Sequence, residues 1–146
     1  MNFKYYLEKI HVVNFTYCFM YGTLMQKSKS SAAENYTKQF GIFVDEAEIK
    51  GTLYHSGAYP GVKLDGKNIV KGEVWRVDNK HINIFDEYEG YPDLYNKQKT
   101  VATTISGKTF DVVVYTWNGS VKSPAFPVIS GDWMTQKVIK DMGTSI

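Results

Sequence analysis

One helical pattern stands in the middle of the chain between segments that read as strands. Asp78 fits a helix N-cap, Ile82 and Phe85 recur at helical spacing within residues 79–88, Gly90 suits the C′ position and Pro92 ends the run. On either side the chain is β-like. FTYCFMY (15–21) is a compact apolar run rich in aromatics, and residues 68–77 carry Val70, Val74 and Val77. Residues 97–106 and 108–117 read as two strands joined at Ser106-Gly107. One central helix among hairpin-linked strands predicts an α+β domain with a curled or barrel-like sheet.

The remaining segments are shorter. Residues 24–38 read as a polar loop with a short helix. Residues 42–52 alternate loosely and end in a strand near 48–54. HSGAYPG (55–61) reads as a loop, 62–64 as a short strand, and Asp65-Gly66 as a hairpin turn. Asn118-Gly119 is another turn, and 134–142 an amphipathic helix. Phe3, Tyr6, Leu7 and Ile10 suit a short helix at the start, which is either docked on the domain or a frayed extension. With 146 residues the expected organisation is an extension, 1–14, and one domain, 15–146.

Composition narrows the function classes. Seventeen basic against fifteen acidic residues leave a net charge of +2, which argues against nucleic acid or an anionic membrane as partner. No stretch approaches the ~20 apolar residues of a membrane span. The start lacks a signal peptide's shape, because Lys4, Glu8, Lys9 and His11 interrupt it, so the expectation is a cytoplasmic protein. The single cysteine, Cys18, has no internal partner and reads as a small core residue. His11, His55 and His81 lack the paired spacing of a metal site, so no metal is expected.

Three places could carry chemistry. Tyr21-Gly22-Thr23-Leu24 follows the first strand; its glycine permits close approach of a ligand, and successive N–H groups there can form an anion nest. An ordinary tight turn is the alternative. Glu89 shares a helix face with Ile82 and Phe85, Asp86 flanks it, and Glu87 points away. A carboxyl aimed at the core from a helix C-terminus has its pKa raised toward the acid–base range, whereas a solvated helix end would not. Tyr54 and Tyr59, with Tyr95 and Tyr115, are either pocket walls or core aromatics.

Taken in order, these pieces resemble the γ-glutamylcyclotransferase-like family, which includes γ-glutamylamine cyclotransferases and AIG2-like proteins. FMYGTL is similar to its YGTL or YGSL loop. Gly57-Ala58-Tyr59-Pro60-Gly61 resembles its G-x-Y-P piece, and Gly72-Glu73-Val74-Trp75 its G-E-[VL]-[YW] strand. Phe85-Asp86-x-x-Glu89-Gly90 with Tyr95 is similar to LDxxEG…Y, and Ser130-Gly131-Asp132-Trp133 to SGDW. The resemblance implies a small mixed β-barrel with flanking short helices. It also implies a small-molecule γ-glutamyl substrate, release of 5-oxoproline and a free amine by intramolecular aminolysis, and no cofactor. It makes Glu89 the expected acid–base residue, with Tyr21, Gly22, Thr23, Leu24, Tyr59, Tyr95 and Tyr115 as expected substrate-binding residues. Lys97 stands where the family often has arginine, which loses the bidentate fork if that position orients substrate. A non-catalytic binding module on the same fold is the alternative. The loops expected to read the leaving amine are 28–35 and 92–97.

Overall fold

The computed structural model describes residues 14–56, 59–118 and 125–135. The expected helix in 1–13, the glycine of the 118–119 turn and most of the expected 134–142 helix lie outside them. Only residues 133–135 of the last region are described, and they are helical.

Eight strands are formed among the described residues: β1 (Phe15–Met20), β2 (Gly41–Lys50), β3 (Thr52–Ser56), β4 (Tyr59–Lys63), β5 (Ile69–Asp78), β6 (Tyr95–Thr104), β7 (Thr109–Trp117) and β8 (Ala125–Pro127). Five close into a barrel in the order β1-β5-β2-β6-β7. Its pairs are antiparallel except the closing one, where β1 runs parallel to β7 with Cys18 beside Val113 and Phe19 beside Val114. Closure leaves these strands without a free edge. The other three form a small sheet, β4-β3-β8. The α+β barrel with short helices is therefore the fold, as expected.

The differences from expectation are local. The segment read as one strand near 48–54 is two, β2 and β3, broken at Gly51 where the chain leaves the barrel for the small sheet. The described residues of HSGAYPG are strand rather than loop. His55 and Ser56 end β3, Tyr59-Pro60-Gly61 begin β4, and His55 pairs with Pro60 and Ser56 with Tyr59. Proline belongs here because β4 is an edge strand, where a missing N–H breaks no ladder. Asp65-Gly66 is not a hairpin turn, since the strands on either side of it, β4 and β5, sit in different sheets. The region after Leu24 contains a 3₁₀ turn (Gln26–Ser28), then a helical stretch over 31–40 with a π-helical centre (Ala33–Thr37).

The central helix α1 (Ile82–Glu89) follows a 3₁₀ turn, Asn79–His81, whose N-cap is Asp78; the Asp78 carboxylate accepts from the Lys80 N–H. Phe85 is fully buried and joins α1 to the one hydrophobic core that also holds Phe19, Val74, Val77 and Val114. Side chains buried to this degree each stabilise the fold by about 1.5–3 kcal/mol. Cys18 is buried in the same core, and burial pushes its thiol up to about 12, so it is not a nucleophile at neutral pH. No helix among the described residues is long and apolar enough to cross a membrane.

Candidate active site

Where β1 ends, the chain turns sharply. Met25 N–H donates to the Gly22 carbonyl, the Ser28 and Ser30 hydroxyls both donate to the Thr23 carbonyl, and the Thr37 hydroxyl donates to the Leu24 carbonyl. Every carbonyl of Gly22-Thr23-Leu24 is thus occupied, while no group among the described residues accepts from their N–H groups. Gly22 also faces the small sheet so closely that an added Cβ would lie 2.8 Å from Pro60 Cγ.

The turn is held from below by Glu73 of β5. This carboxylate is completely buried. It accepts from Gln26 N–H (2.7 Å), Lys27 N–H (3.4 Å) and Trp75 Nε1 (3.0 Å). Sequence reasoning placed Glu73 in a strand motif but gave it no role. The available signal was a lone carboxylate within an apolar strand, which must find donors to be tolerated.

Facing the turn is the last residue of α1. Gly90 adopts the left-handed conformation (φ 69°), and the N–H groups of Gly90 and Tyr91 close on the carbonyls of Glu87 and Asp86. The helix end is tethered laterally through Asp86, which accepts from Tyr115 Oη (2.6 Å) and from Lys97 Nζ (2.9 Å). Lys97, at the position where the resemblance placed an arginine, pins α1 through Asp86; its ammonium also lies 4.4 Å from the centre of the Tyr91 ring. With Phe85 inside and Asp86 tied, Glu89 is directed into a cavity of about 210 Å³. Burial raises its carboxyl from the ordinary value to about 7. The negative end of the helix dipole acts in the same direction.

The structure gathers all the sequence-predicted site residues around that cavity: Tyr21, Gly22, Thr23, Leu24, Tyr59, Tyr95 and Tyr115 line it together with Glu89. Their hydroxyls divide into two groups. Tyr21 Oη donates to the Tyr115 carbonyl (2.6 Å), Tyr95 Oη to the Pro60 carbonyl, and Tyr115 Oη to Asp86. Burial raises all three phenol pKa values, so these rings are neutral struts. Tyr59 is 69% exposed and stands at the cavity's mouth. Tyr54, the remaining candidate wall, does not line the cavity.

Sequence reasoning gave no pocket role to Phe19, Met20 or Tyr88, and reached Pro60 and Leu94 only as members of the 55–61 and 92–97 segments. Tyr88 lies three residues after Phe85, at the edge of the buried face, and its hydroxyl meets that of Thr23 at 2.9 Å, a contact across 65 residues that local pattern does not supply. A larger depression of about 460 Å³ is lined by Lys27, Glu46, Lys71 and Asp132 among others and contains none of the predicted site residues. Lys27 and Glu46 there form an ion pair. Among the described residues no three His, Cys, Asp or Glu side chains are placed to hold a metal ion.

Residues 18–135 match the model of a family described as Gamma-glutamyl cyclotransferase, AIG2-like. No curated protein matches the chain. Solved structures share the fold. YkqA from Bacillus subtilis superposes with a TM-score of 0.68 at 23% identity, covering 88% of this chain and 43% of that one, so this chain spans under half of its length. An AIG2-like protein from Mus musculus gives 0.64 at 21% identity, covering 76% and 81% of the two chains. An uncharacterized protein from Pyrococcus horikoshii, PH0828, gives 0.65 at 23% identity, covering 87% and 97%.

Proposed function

The chain belongs to the gamma-glutamyl cyclotransferase, AIG2-like family, and from this premise we propose that its cavity cyclises a γ-glutamyl group, with Glu89 as the proton carrier. The observation that carries the reading is the placement of one sheltered carboxyl opposite a turn whose N–H groups are unoccupied.

The neutral α-amine of the γ-glutamyl group attacks its own γ-carbonyl carbon. A C–N bond forms and closes a five-membered ring. The proton shed by the attacking nitrogen passes to the Glu89 carboxylate. Negative charge gathers on the former carbonyl oxygen, where the N–H groups of Gly22, Thr23 and Leu24 are suited to receive it. The original C–N bond then breaks, and Glu89 returns the proton to the departing nitrogen. The products are 5-oxoproline and a free amine. No cofactor is chemically required, since nucleophile and electrophile belong to one molecule. An acid with a pKa of about 7 is close to half ionised at neutral pH and can serve both steps. Holding the chain in its ring-closing conformer is worth up to about 7–11 kcal/mol in ideal cases.

The test is a panel of γ-glutamyl amines and γ-glutamyl amino acids offered to the protein, with 5-oxoproline measured by mass spectrometry and the melting temperature measured alongside. Release of 5-oxoproline from at least one compound is expected. Thermal stabilisation by a γ-glutamyl compound with no product would identify a binding module instead.

A further inference from the structure

We infer that the amine released carries an apolar or aromatic group, seated on Tyr59, Tyr88 and Leu94 at the mouth of the cavity. This inference rests on the cyclotransferase reading and names its substrate class.

The cavity, at about 210 Å³, is small beside the roughly 300–1,000 Å³ of sites that enclose a whole drug-sized ligand. A glutamyl unit with its amine beside Glu89 fills such a space, so the group beyond the γ-carbonyl must emerge at the mouth. There three partly exposed apolar side chains come together. Tyr59 is 69% exposed, Leu94 68% and Tyr88 38%, and all three line the same cavity. Exposed apolar side chains scattered singly need no explanation, whereas a cluster around one concavity marks a binding surface.

The cluster is also held in place. Tyr88 is braced by the Thr23 hydroxyl at 2.9 Å and by the Tyr36 ring, 4.8 Å between centroids. Leu94 donates its N–H to the Gly90 carbonyl (2.8 Å), and its side chain packs over Gly90, where an added Cβ would lie 2.9 Å from Leu94 Cδ1. Rings and branched chains that are already fixed contribute contact area at little cost in conformational entropy.

Charge points the same way. Among the described residues Glu89 is the only charged side chain lining the cavity. The nearby cation, Lys97, is engaged by Asp86. A leaving group bearing a carboxylate would find no free cation among the described residues at the mouth to pair with, whereas an apolar group would cover the exposed faces of Tyr59, Tyr88 and Leu94.

The experiment compares kcat/KM for 5-oxoproline release from γ-glutamyl-benzylamide, γ-glutamyl-methylamide, γ-glutamyl-glycine and γ-glutamyl-ε-lysine, in the wild type and in Tyr88→Ala and Leu94→Ser. The benzylamide is expected to exceed the other three by about tenfold or more, the scale of burying a few apolar carbons. Each variant is expected to shrink the benzylamide-to-methylamide ratio toward one. Preference for the glycine or lysine conjugate, or a ratio unchanged in both variants, would overturn the inference. Turnover of the methylamide with no aromatic preference overturns the inference alone; release from none of the four overturns the cyclotransferase reading with it.

Discussion

Glu89→Gln is expected to lower 5-oxoproline release by about 10²–10⁴-fold, the usual range for a positioned acid–base group. The amide keeps the shape of the side chain and cannot carry the proton from the attacking to the departing nitrogen. The variant's stability should separate this loss from misfolding. The folded pKa of Glu89 lies near 7, above its ordinary value of 4.5, because burial disfavours the charged form. Between those values the folded protein binds more protons than the unfolded chain, so stability contributed by this group falls as pH rises from about 4.5 to 7 and stays lost above. Above pH 7 the wild type therefore carries a sheltered charge that the glutamine variant lacks. Glu89→Gln should be at least as stable there, by about 1–3 kcal/mol at most, and the margin should vanish below about pH 4.5. The same titration predicts that wild-type kcat/KM declines on the acid side with a half-point near pH 7. Activity retained in the folded variant would remove Glu89 from the chemistry.

Glu73→Ala is expected to destabilise the protein by about 3–5 kcal/mol, lowering the melting temperature by about 10 °C. The carboxylate gathers two backbone N–H groups of the turn after Leu24 and the Trp75 indole, all inside the protein. Removing it orphans three donors at once, and each buried orphan costs about 1–3 kcal/mol. Glu73→Gln should cost less, about 1–2 kcal/mol, because the amide oxygen still accepts while its NH₂ faces an N–H. Both variants should also weaken turnover, since Gln26 and Lys27 follow directly on the turn that faces Glu89. Thermal or urea unfolding of the two variants measures the difference; a melting temperature unchanged in Glu73→Ala would show that the turn is held by other contacts.

The direction of Glu89 was legible in the sequence because helical phase is a local property. Ile82 and Phe85 define the buried face, Glu89 falls on it, and Gly90 stops the helix one residue later. The strand before Gly22 was legible for the same reason. What local pattern could not supply was pairing across long separations. The small sheet joins Tyr54 to Pro127 and His55 to Phe126, and nothing in the local pattern around Pro60 distinguishes an edge strand from a loop. Roles that depend on such meetings were equally hidden. The pairing of Lys97 with Asp86 depends on where β6 lies, and three of the pocket tyrosines proved to spend their hydroxyls on protein acceptors.

The most direct measurement runs the reaction in H₂¹⁸O with a γ-glutamyl amine that the wild type consumes and follows the products by mass spectrometry. Ring closure by the substrate's own amine predicts 5-oxoproline free of ¹⁸O, with free amine released in equal amount. Glutamate carrying ¹⁸O would show that water, not the α-amine, attacks the γ-carbonyl, and would contradict the account.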